Sequence, residues 1–176
     1  PGMPAEELLD MSDKWVLSEL ARTAAEVTTN LDKYELGLAA EKVENFIWDI
    51  YCDWYIEICK SRLNGEDAQQ ADTARKVLVW VLDKALKLLH PFMPFITEEI
   101  YQALPGSAET IMTQEWPDAG KMTAWPQECA DFEVLMDYIK AVRTIRNDMN
   151  VHPAKKTSMT IETANPAAFQ LSLIHI

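Results

Sequence analysis

The sequence is poor in the residues that build turn-rich β folds and disulfide scaffolds. It has 5 glycines in 176 residues, against 8 methionines and 6 tryptophans, and this balance favours helices. Its 3 cysteines are odd in number and lack C-x-x-C spacing, which argues against a disulfide framework and favours a reducing, cytoplasmic setting. No apolar run is long enough to span a bilayer and no signal-peptide pattern is present, so no membrane partner is expected.

Motifs of known catalytic chemistry are also missing. The chain has no P-loop, no G-x-G-x-x-G, no H-E-x-x-H and no G-x-S-x-G. His90, His152 and His175 are scattered and lack the spacing of metal ligands. Cys52 and Cys59 are better explained as core thiols than as a redox pair, because nothing nearby in sequence would lower their pKa. We therefore assign no catalytic residue and no metal ligand.

What the sequence has is helical periodicity. Hydrophobic residues make up 48% of the chain, enough for the core of one domain with an appendage. Ser12 is a candidate N-cap for the first helix, and Asn64-Gly65 is a stop signal for the second. The pattern predicts a lead-in at 1–10, helices at 12–30, 36–63, 67–89, 95–104 and 128–149, an extended strap at 108–127 with two Trp-Pro pairs, and a strand-like alternation at 155–163.

The second predicted helix is unusually aromatic. A helix that is apolar on more than one side is typically buried between neighbours. Helical spacing places an inner face on Val43, Phe46, Ile47, Ile50, Trp54 and Ile58, while Trp48, Tyr51 and Tyr55 make the remaining faces aromatic. Core packing is the favoured interpretation; the alternatives are base stacking and a docking groove in a helical protein-interaction module. Asp53, Glu57 and Lys60 are expected at the rim as ion pairs.

Residues 90–99 predict a tight corner between two helices. Pro91 and Pro94 cannot lie inside one continuous helix, because proline lacks the N–H donor and its ring clashes with the preceding turn. We expect Phe92, Met93 and Phe95 to pack under this corner. Glu98 and Glu99 are then expected in the first turn of the next helix, and His90 is expected to be structural.

The charge of the chain is unevenly distributed. The formal net charge is -12, which disfavours nucleic-acid binding because phosphate neutralisation needs Lys and Arg. Within 139–156, however, five basic residues accompany one acidic residue. Lys140, Arg143 and Arg146 are three apart and share one helical stripe. A solvated face and a phosphate-contacting surface explain this stripe equally well.

Several segments, in order, resemble the valyl-tRNA synthetases in the region after their catalytic domain. The matching pieces are D-K-W-V-L-S at 13–18, F-I-W at 46–48, C-D-W-Y-I-E at 52–57, the corner at 89–99 and the strap at 111–117. Leucyl and isoleucyl enzymes share this general layout, so these pieces leave the equivalent domain of such an enzyme as an alternative. The run A-V-R-T-I-R-N-D-M-N-V at 141–151, followed by Pro153, Lys155 and Lys156, is similar to the valyl enzymes specifically.

The resemblance implies an all-α anticodon-binding helix bundle at 11–127, followed at 128–176 by a long basic helix and a small α/β appendage. It implies binding of the anticodon stem-loop of tRNA for valine, with the catalytic domain of the same chain as a second partner. The parent enzyme would use ATP with magnesium, but the HIGH and KMSKS signatures are absent from these residues. The chain by itself is expected to hold no cofactor and to be inactive.

The resemblance and the charges together suggest seven tRNA-binding residues. Phosphate contacts fix the register of a bound RNA, and aromatic side chains stack on unpaired bases. Where the family often has an aromatic residue after Tyr34 and Glu35, this chain has Leu36, so stacking there would be weaker or lie elsewhere. The candidates are Lys14, Arg22, Lys33, Tyr34, Lys140, Arg143 and Arg146.

Overall fold

The described part of the chain is mostly helical. A computed structural model describes residues 2–152 and 155, and no strand occurs among them. The predicted strand-like segment at 155–163 lies almost wholly outside the described residues. The α-helices are α1 (Met11–Asp32), α2 (Leu36–Asn45), α3 (Glu57–Leu63), α4 (Ala68–Leu89), α5 (Pro94–Gln102) and α6 (Pro126–Asp148), with a π-helical segment at Phe46–Ile56 and short 3-10 turns at Glu6–Leu8, Ile111–Thr113 and Ala119–Lys121. The all-α prediction is confirmed.

The chain divides into two compact units, with the boundary between Trp125 and Pro126. The first unit is an antiparallel bundle in which α1, the α2–α3 helix and α4 run up, down and up. Lys42 of α2 pairs with Glu26 of α1 at 2.8 Å, and Tyr51 donates a hydrogen bond to the Leu78 carbonyl of α4 at 3.1 Å. In the second unit, α6 buries Phe132, Leu135 and Met136, whereas Ile145 is exposed.

The second predicted helix is continuous but changes register in its middle. Asn45 and Glu57, which flank the π-helical segment, are both in the helical conformation, so 36–63 is one rod. A π-helix bonds residue i to i+5 rather than i+4, so its wider turn rotates the later residues relative to an α-helix. Tyr51, Tyr55 and Cys59 are therefore the buried residues. The predicted inner positions Ile47, Ile50, Trp54 and Ile58 are only half-buried, because the prediction assumed a constant α period.

A buried polar network joins the start of α1 to the second half of this rod. The Asp13 side chain is 0% exposed and accepts hydrogen bonds from Tyr55 Oη at 2.5 Å and from both terminal nitrogens of Arg62 at 2.7 and 2.9 Å. Arg62 also pairs with Asp10 at 2.8 Å. Asp10 is the N-cap of α1 and forms a reciprocal capping box with Asp13. Ser12, the predicted cap, instead lies inside α1 and donates to Asp10 Oδ1 at 2.7 Å.

The strap that the sequence predicts contacts α1. Trp116 Nε1 donates to Thr28 Oγ1 at 2.9 Å, and the Trp125 backbone N–H donates to Ser18 Oγ at 2.8 Å. The Trp125 indole also donates to Glu6 at 2.8 Å. These bonds hold the irregular segment 105–125 on the bundle with little secondary structure of its own.

We predict that Arg62→Met destabilises the bundle by about 3–5 kcal/mol, because it leaves the buried Asp13 carboxylate without its cation. The measurement is the free energy of unfolding from urea titration. Lys60→Met is the matched control: Lys60 pairs with Glu57 on the exposed side of the same helix, and such pairs contribute under about 1 kcal/mol. Equal losses for the two variants would contradict the proposed importance of the network.

We also predict that stability falls in alkaline solution. Burial raises the pKa of the Cys59 thiol to about 12 from 9.0. Burial likewise raises the pKa of Tyr51 and of Tyr55 well above 10.0, with the Asp13 charge adding to the shift of Tyr55. A group whose pKa is raised by folding stabilises the fold below its unfolded pKa and loses that contribution as pH rises. The unfolding free energy should be level to about pH 8.5 and then fall by about 1.4 kcal/mol per pH unit for each group titrating.

The check is absorbance of tyrosinate followed together with circular dichroism. Of the 5 tyrosines, Tyr51 and Tyr55 should ionise only as the helices melt. Tyr51→Phe should reduce the steepness of the alkaline loss. Ionisation of all tyrosines near pH 10 with the helical signal intact would be the contrary result.

Candidate nucleic-acid interface

The turn between α1 and α2 presents an aromatic side chain on an unusual backbone. Glu35 N–H donates to the Asn30 carbonyl at 2.8 Å and Tyr34 N–H donates to the Leu31 carbonyl at 2.9 Å, which is the Schellman arrangement of a helix end. Tyr34 occupies its left-handed position, with φ of 60°. Glycine is the usual residue there, and a residue with a Cβ is strained by about 1–2 kcal/mol. Strain of this kind is typical of functional positions.

The corner between α4 and α5 has a polar interior and an apolar exterior. Thr97 is fully buried; its hydroxyl donates to the Met93 carbonyl at 2.8 Å and lies 2.7 Å from His90 Nδ1. The structural role predicted for His90 is confirmed.

Two predictions about the corner are wrong. Phe95 is 90% exposed and Met93 is also exposed, because Thr97 and Tyr101 occupy the inner face of α5. The helix begins at Pro94, so Glu98 lies beyond its first turn. Glu98 instead accepts hydrogen bonds from Thr110 Oγ1 at 2.8 Å and from the Ile111 N–H, which fastens the strap to α5. Desolvation raises the pKa of the Glu98 carboxyl, but these hydrogen bonds, together with one from Gln102, outweigh it and lower the pKa below its ordinary value.

The α1–α2 turn and the α4–α5 corner lie at one end of the bundle, which we call the turn end (33–36 and 93–96). The bond from Tyr51 to the Leu78 carbonyl sets the relative height of the two antiparallel helices. From that level, Leu36 is 15 residues away along one helix, about 20 Å, and Leu89 is 11 residues away along the other, about 16 Å. The side chains exposed at the turn end include Lys33, Tyr34, Leu36, Met93, Phe95 and Ile96.

The seven residues suggested by sequence fall in three places. Only Lys33 and Tyr34 are at the turn end, where Tyr34 is 88% exposed. Lys14 is half-buried in the first turn of α1, about 28 Å from Lys33 by the rise of the helix. Arg22 lies between them and pairs with the buried carboxylate of Glu19. Unit one therefore does not assemble Lys14, Arg22 and Lys33 into a single site.

The remaining three candidates lie on α6 and have different surroundings. Lys140 is exposed and lies 3.6 Å from Asp137. Arg143 is exposed as well. Arg146 is half-buried and donates to the carbonyls of His152 at 3.1 Å and Lys155 at 2.9 Å, so it holds the backbone that follows α6. Within the basic stripe, Lys140 and Arg143 are thus surface residues, whereas Arg146 stabilises the backbone after α6.

Two aromatic residues of the second helix lie in the core of the bundle. Tyr51 and Tyr55 are buried and hydrogen-bonded within the bundle, which confirms the core interpretation for them. Trp48 is exposed, and Lys60 pairs with Glu57 at the rim as predicted. The exposed residues that sequence reasoning missed are Met93, Phe95 and Ile96. Their exposure could have been predicted from the sequence, because α5 is apolar on more faces than a short helix can bury.

The structure also bears on metal and membrane binding. Among residues 2–152 and 155, no group of three or more His, Cys, Asp or Glu side chains has a geometry that could hold a metal ion. No helix in this part of the chain is both long enough and apolar enough to cross a membrane. Cys52, Cys59 and Cys129, all within the described residues, form no disulfide, and burial raises the pKa of Cys52 as well as that of Cys59.

Comparison with known proteins decides the family. Residues 13–161 match the sequence profile described as the anticodon-binding domain of tRNA ligase. This chain belongs to that family. Its anticodon-binding domain is similar to the valine–tRNA ligase of Bacillus licheniformis, with 44% identity over 170 residues, which is 94% of this chain and 19% of the relative. The valine–tRNA ligase of Bacillus subtilis is 41% identical over 93% of this chain and 19% of its own length.

The valine–tRNA ligase of Staphylococcus epidermidis gives the same result, with 44% identity over 88% of this chain and 18% of the relative. The chain thus spans about a fifth of the length of these relatives, 18–19%, and corresponds to their anticodon-binding domain. The predicted resemblance to this family is confirmed.

We predict that Thr97→Val destabilises this anticodon-binding domain by about 1–3 kcal/mol, because the half-buried His90 Nδ1 loses its hydrogen bond with the fully buried Thr97 hydroxyl. Thr29→Val is the matched control: its hydroxyl also bonds the carbonyl four residues back, but on an exposed face, so the change should stay within about 0.5 kcal/mol. Urea unfolding measures both. A Thr97→Val variant as stable as the control would show that the corner does not depend on this bond.

Proposed function

We propose that this chain is the anticodon-binding region of a cytoplasmic valine–tRNA ligase and that its turn end contacts the anticodon loop of tRNA for valine. The observation that carries the proposal is the strained, exposed Tyr34 at the same end of the bundle as the exposed Phe95. Unpaired bases in an RNA loop are recognised by stacking on aromatic side chains and by hydrogen bonds to their edges. The identity with valine–tRNA ligases supports the choice of valine.

The remaining steps of the reaction belong to the rest of the proposed parent protein. There, ATP with magnesium would activate valine, and the acyl group would pass to the terminal ribose of the tRNA. This chain would supply positioning: Tyr34 and Phe95 by stacking, Lys33 by contact with phosphate. The candidates Lys14, Arg22, Lys140, Arg143 and Arg146 would contact the RNA backbone outside the loop. The catalytic domain of the same polypeptide would be its second partner.

The acidic charge limits the expected affinity. A net charge of -12 repels an RNA backbone, so binding by this chain should be weak and should fall steeply with salt. Most of the phosphate affinity would then come from the rest of the enzyme. The test is a titration of the chain with an RNA hairpin of the valine anticodon arm and with the same hairpin carrying another anticodon. Equal affinity for both hairpins would refute the proposal that the chain reads the anticodon. No binding at low salt would refute RNA binding altogether.

We predict that Tyr34→Gly stabilises the fold but weakens binding of the anticodon hairpin. Glycine relieves the left-handed strain, so the free energy of unfolding should rise by about 1 kcal/mol. Loss of one stacked base should weaken binding of the anticodon hairpin by about 1–3 kcal/mol, or about 5- to 150-fold. Unfolding in urea and fluorescence anisotropy of the labelled hairpin measure the two effects.

Phe95→Ala should weaken hairpin binding to a similar degree with little effect on stability, because the side chain is exposed. Trp48→Ala is the matched control, since Trp48 is an exposed aromatic 12 residues, about 18 Å, along the helix from Leu36. Loss of binding in the Trp48 variant but not in the Tyr34 and Phe95 variants would move the interface away from the turn end.

A further inference from the structure

A small pocket on the side of the bundle is separate from the turn end. It has a volume of about 240 Å³ and lies between α4, the end of α5 and the turn that follows it. Its walls include Trp80, Asp83, Lys84, Lys87, Tyr101 and Ser107. Pockets that hold drug-sized ligands have volumes of about 300–1,000 Å³, so this one suits a small group.

The pocket concentrates positive charge in an acidic protein. The Lys84 and Lys87 side chains are only 24% and 11% exposed, and both ammonium groups contact the same oxygen of Asp83, at 3.2 and 2.9 Å. Two cations against one carboxylate leave a local excess of one positive charge. Each ammonium carries three donors; Lys87 donates one of its three to Asp83, and Lys84 makes only an ion pair with the same oxygen.

Aromatic rings hold the two lysines in place. The Lys84 ammonium lies 5.5 Å from the centroid of the Trp80 ring, and the Lys87 ammonium lies 5.7 Å from the centroid of the Tyr101 ring. Both distances are within the range of cation–π attraction. The lysines are therefore positioned before any ligand arrives, which reduces the entropy lost on binding.

Tyr101 adds a hydroxyl donor. Its oxygen accepts a hydrogen bond from the Ala108 N–H at 3.3 Å. Within the part of the chain that the structure describes, no residue accepts the Tyr101 hydroxyl proton. The buried Tyr101 thus offers the pocket one donor beside the two ammonium groups. An anion with several acceptor oxygens matches this set of donors.

We propose that this pocket binds a phosphate group, supplied in the cell by the backbone of the bound tRNA. The identification of the RNA as the source rests on the proposed function, whereas the affinity for phosphate does not. A phosphate has the size that the pocket admits and carries the charge that Lys84 and Lys87 leave uncompensated. The pocket lies along α4 from the turn end, so it would hold the RNA backbone outside the anticodon loop.

The first experiment uses inorganic phosphate as the probe and the Trp80 indole N–H resonance as the readout. Phosphate at millimolar concentration should shift this resonance, and Lys84→Gln should abolish the shift. Lys76→Gln is the matched control, because Lys76 lies on α4 outside the pocket and pairs with Asp72 at 2.7 Å. A Trp80 resonance that does not move, or equal effects of the two substitutions, would overturn the proposal.

The second experiment uses the anticodon hairpin over a series of salt concentrations. Lys84→Gln should lower affinity about three- to tenfold at low salt and reduce the slope of log K against log salt by about 0.7–0.9, the value for one phosphate contact. Lys76→Gln should change neither quantity appreciably. Circular dichroism of each variant verifies that the helices are intact.

The two experiments separate the pocket from the proposed function. Hairpin binding that is unaffected by Lys84→Gln would refute the pocket as an RNA contact and leave the anticodon assignment standing. Phosphate binding that Lys84→Gln abolishes, in a chain that binds no hairpin at any salt concentration, would support the phosphate site while refuting both RNA binding and the RNA source of the phosphate.

Discussion

The buried carboxylate of Asp13 is the constraint on which the bundle depends. A carboxylate that is 0% exposed must be paired and hydrogen-bonded, because removing an unpaired charge from water is very costly. Its partners Tyr55 and Arg62 come from the π-helical segment and from α3, while Asp10 caps the same helix that carries Asp13. One polar contact therefore fixes the start of α1 against the second half of the α2–α3 rod.

The Asp13 network fixes one end of the bundle, and the turn end, which is the opposite end, presents exposed side chains. The antiparallel helices place the α1–α2 turn and the α4–α5 corner about 20 Å or more from Asp13, since α1 alone spans 22 residues. Ordinary helix capping would put glycine at position 34, but the residue there is Tyr34. Ordinary packing would bury Phe95, but its side chain is exposed. Exposed apolar groups and backbone strain at one location are a cost in stability, which is the usual sign of a binding surface.

The electrostatic pattern fits recognition by shape and local charge. The chain as a whole is strongly acidic, with a net charge of -12. Its cations are mostly committed: Arg62 to Asp13, Lys42 to Glu26, and Arg146 to backbone carbonyls. The pair Lys84 and Lys87 is different, because two ammonium groups share one carboxylate inside a pocket. Such local excesses can hold a single phosphate while the surface as a whole repels RNA.

Sequence patterns alone predict the helical class, the approximate helix bounds, the corner at two prolines and the strap. These features depend on local periodicity and on the backbone limits of proline, which act between residues close in the chain. The resemblance to a known family was also readable from short ordered segments. Of the candidate site, Lys33 and Tyr34 were anticipated and lie at the exposed turn end.

Contacts between distant parts of the chain set the register of the second helix, the exposure of Phe95 and the roles of Glu98 and Arg62. The π-helical turn brings Tyr51 to Leu78 and Tyr55 to Asp13, partners that are 27 and 42 residues away in sequence. Arg62 reaches Asp13 across 49 residues. A local sequence pattern contains no information about which distant residue will contact a given side chain. The direction of a side chain in a helix that is apolar on several faces is therefore settled by its neighbours in space, not by its neighbours in the chain.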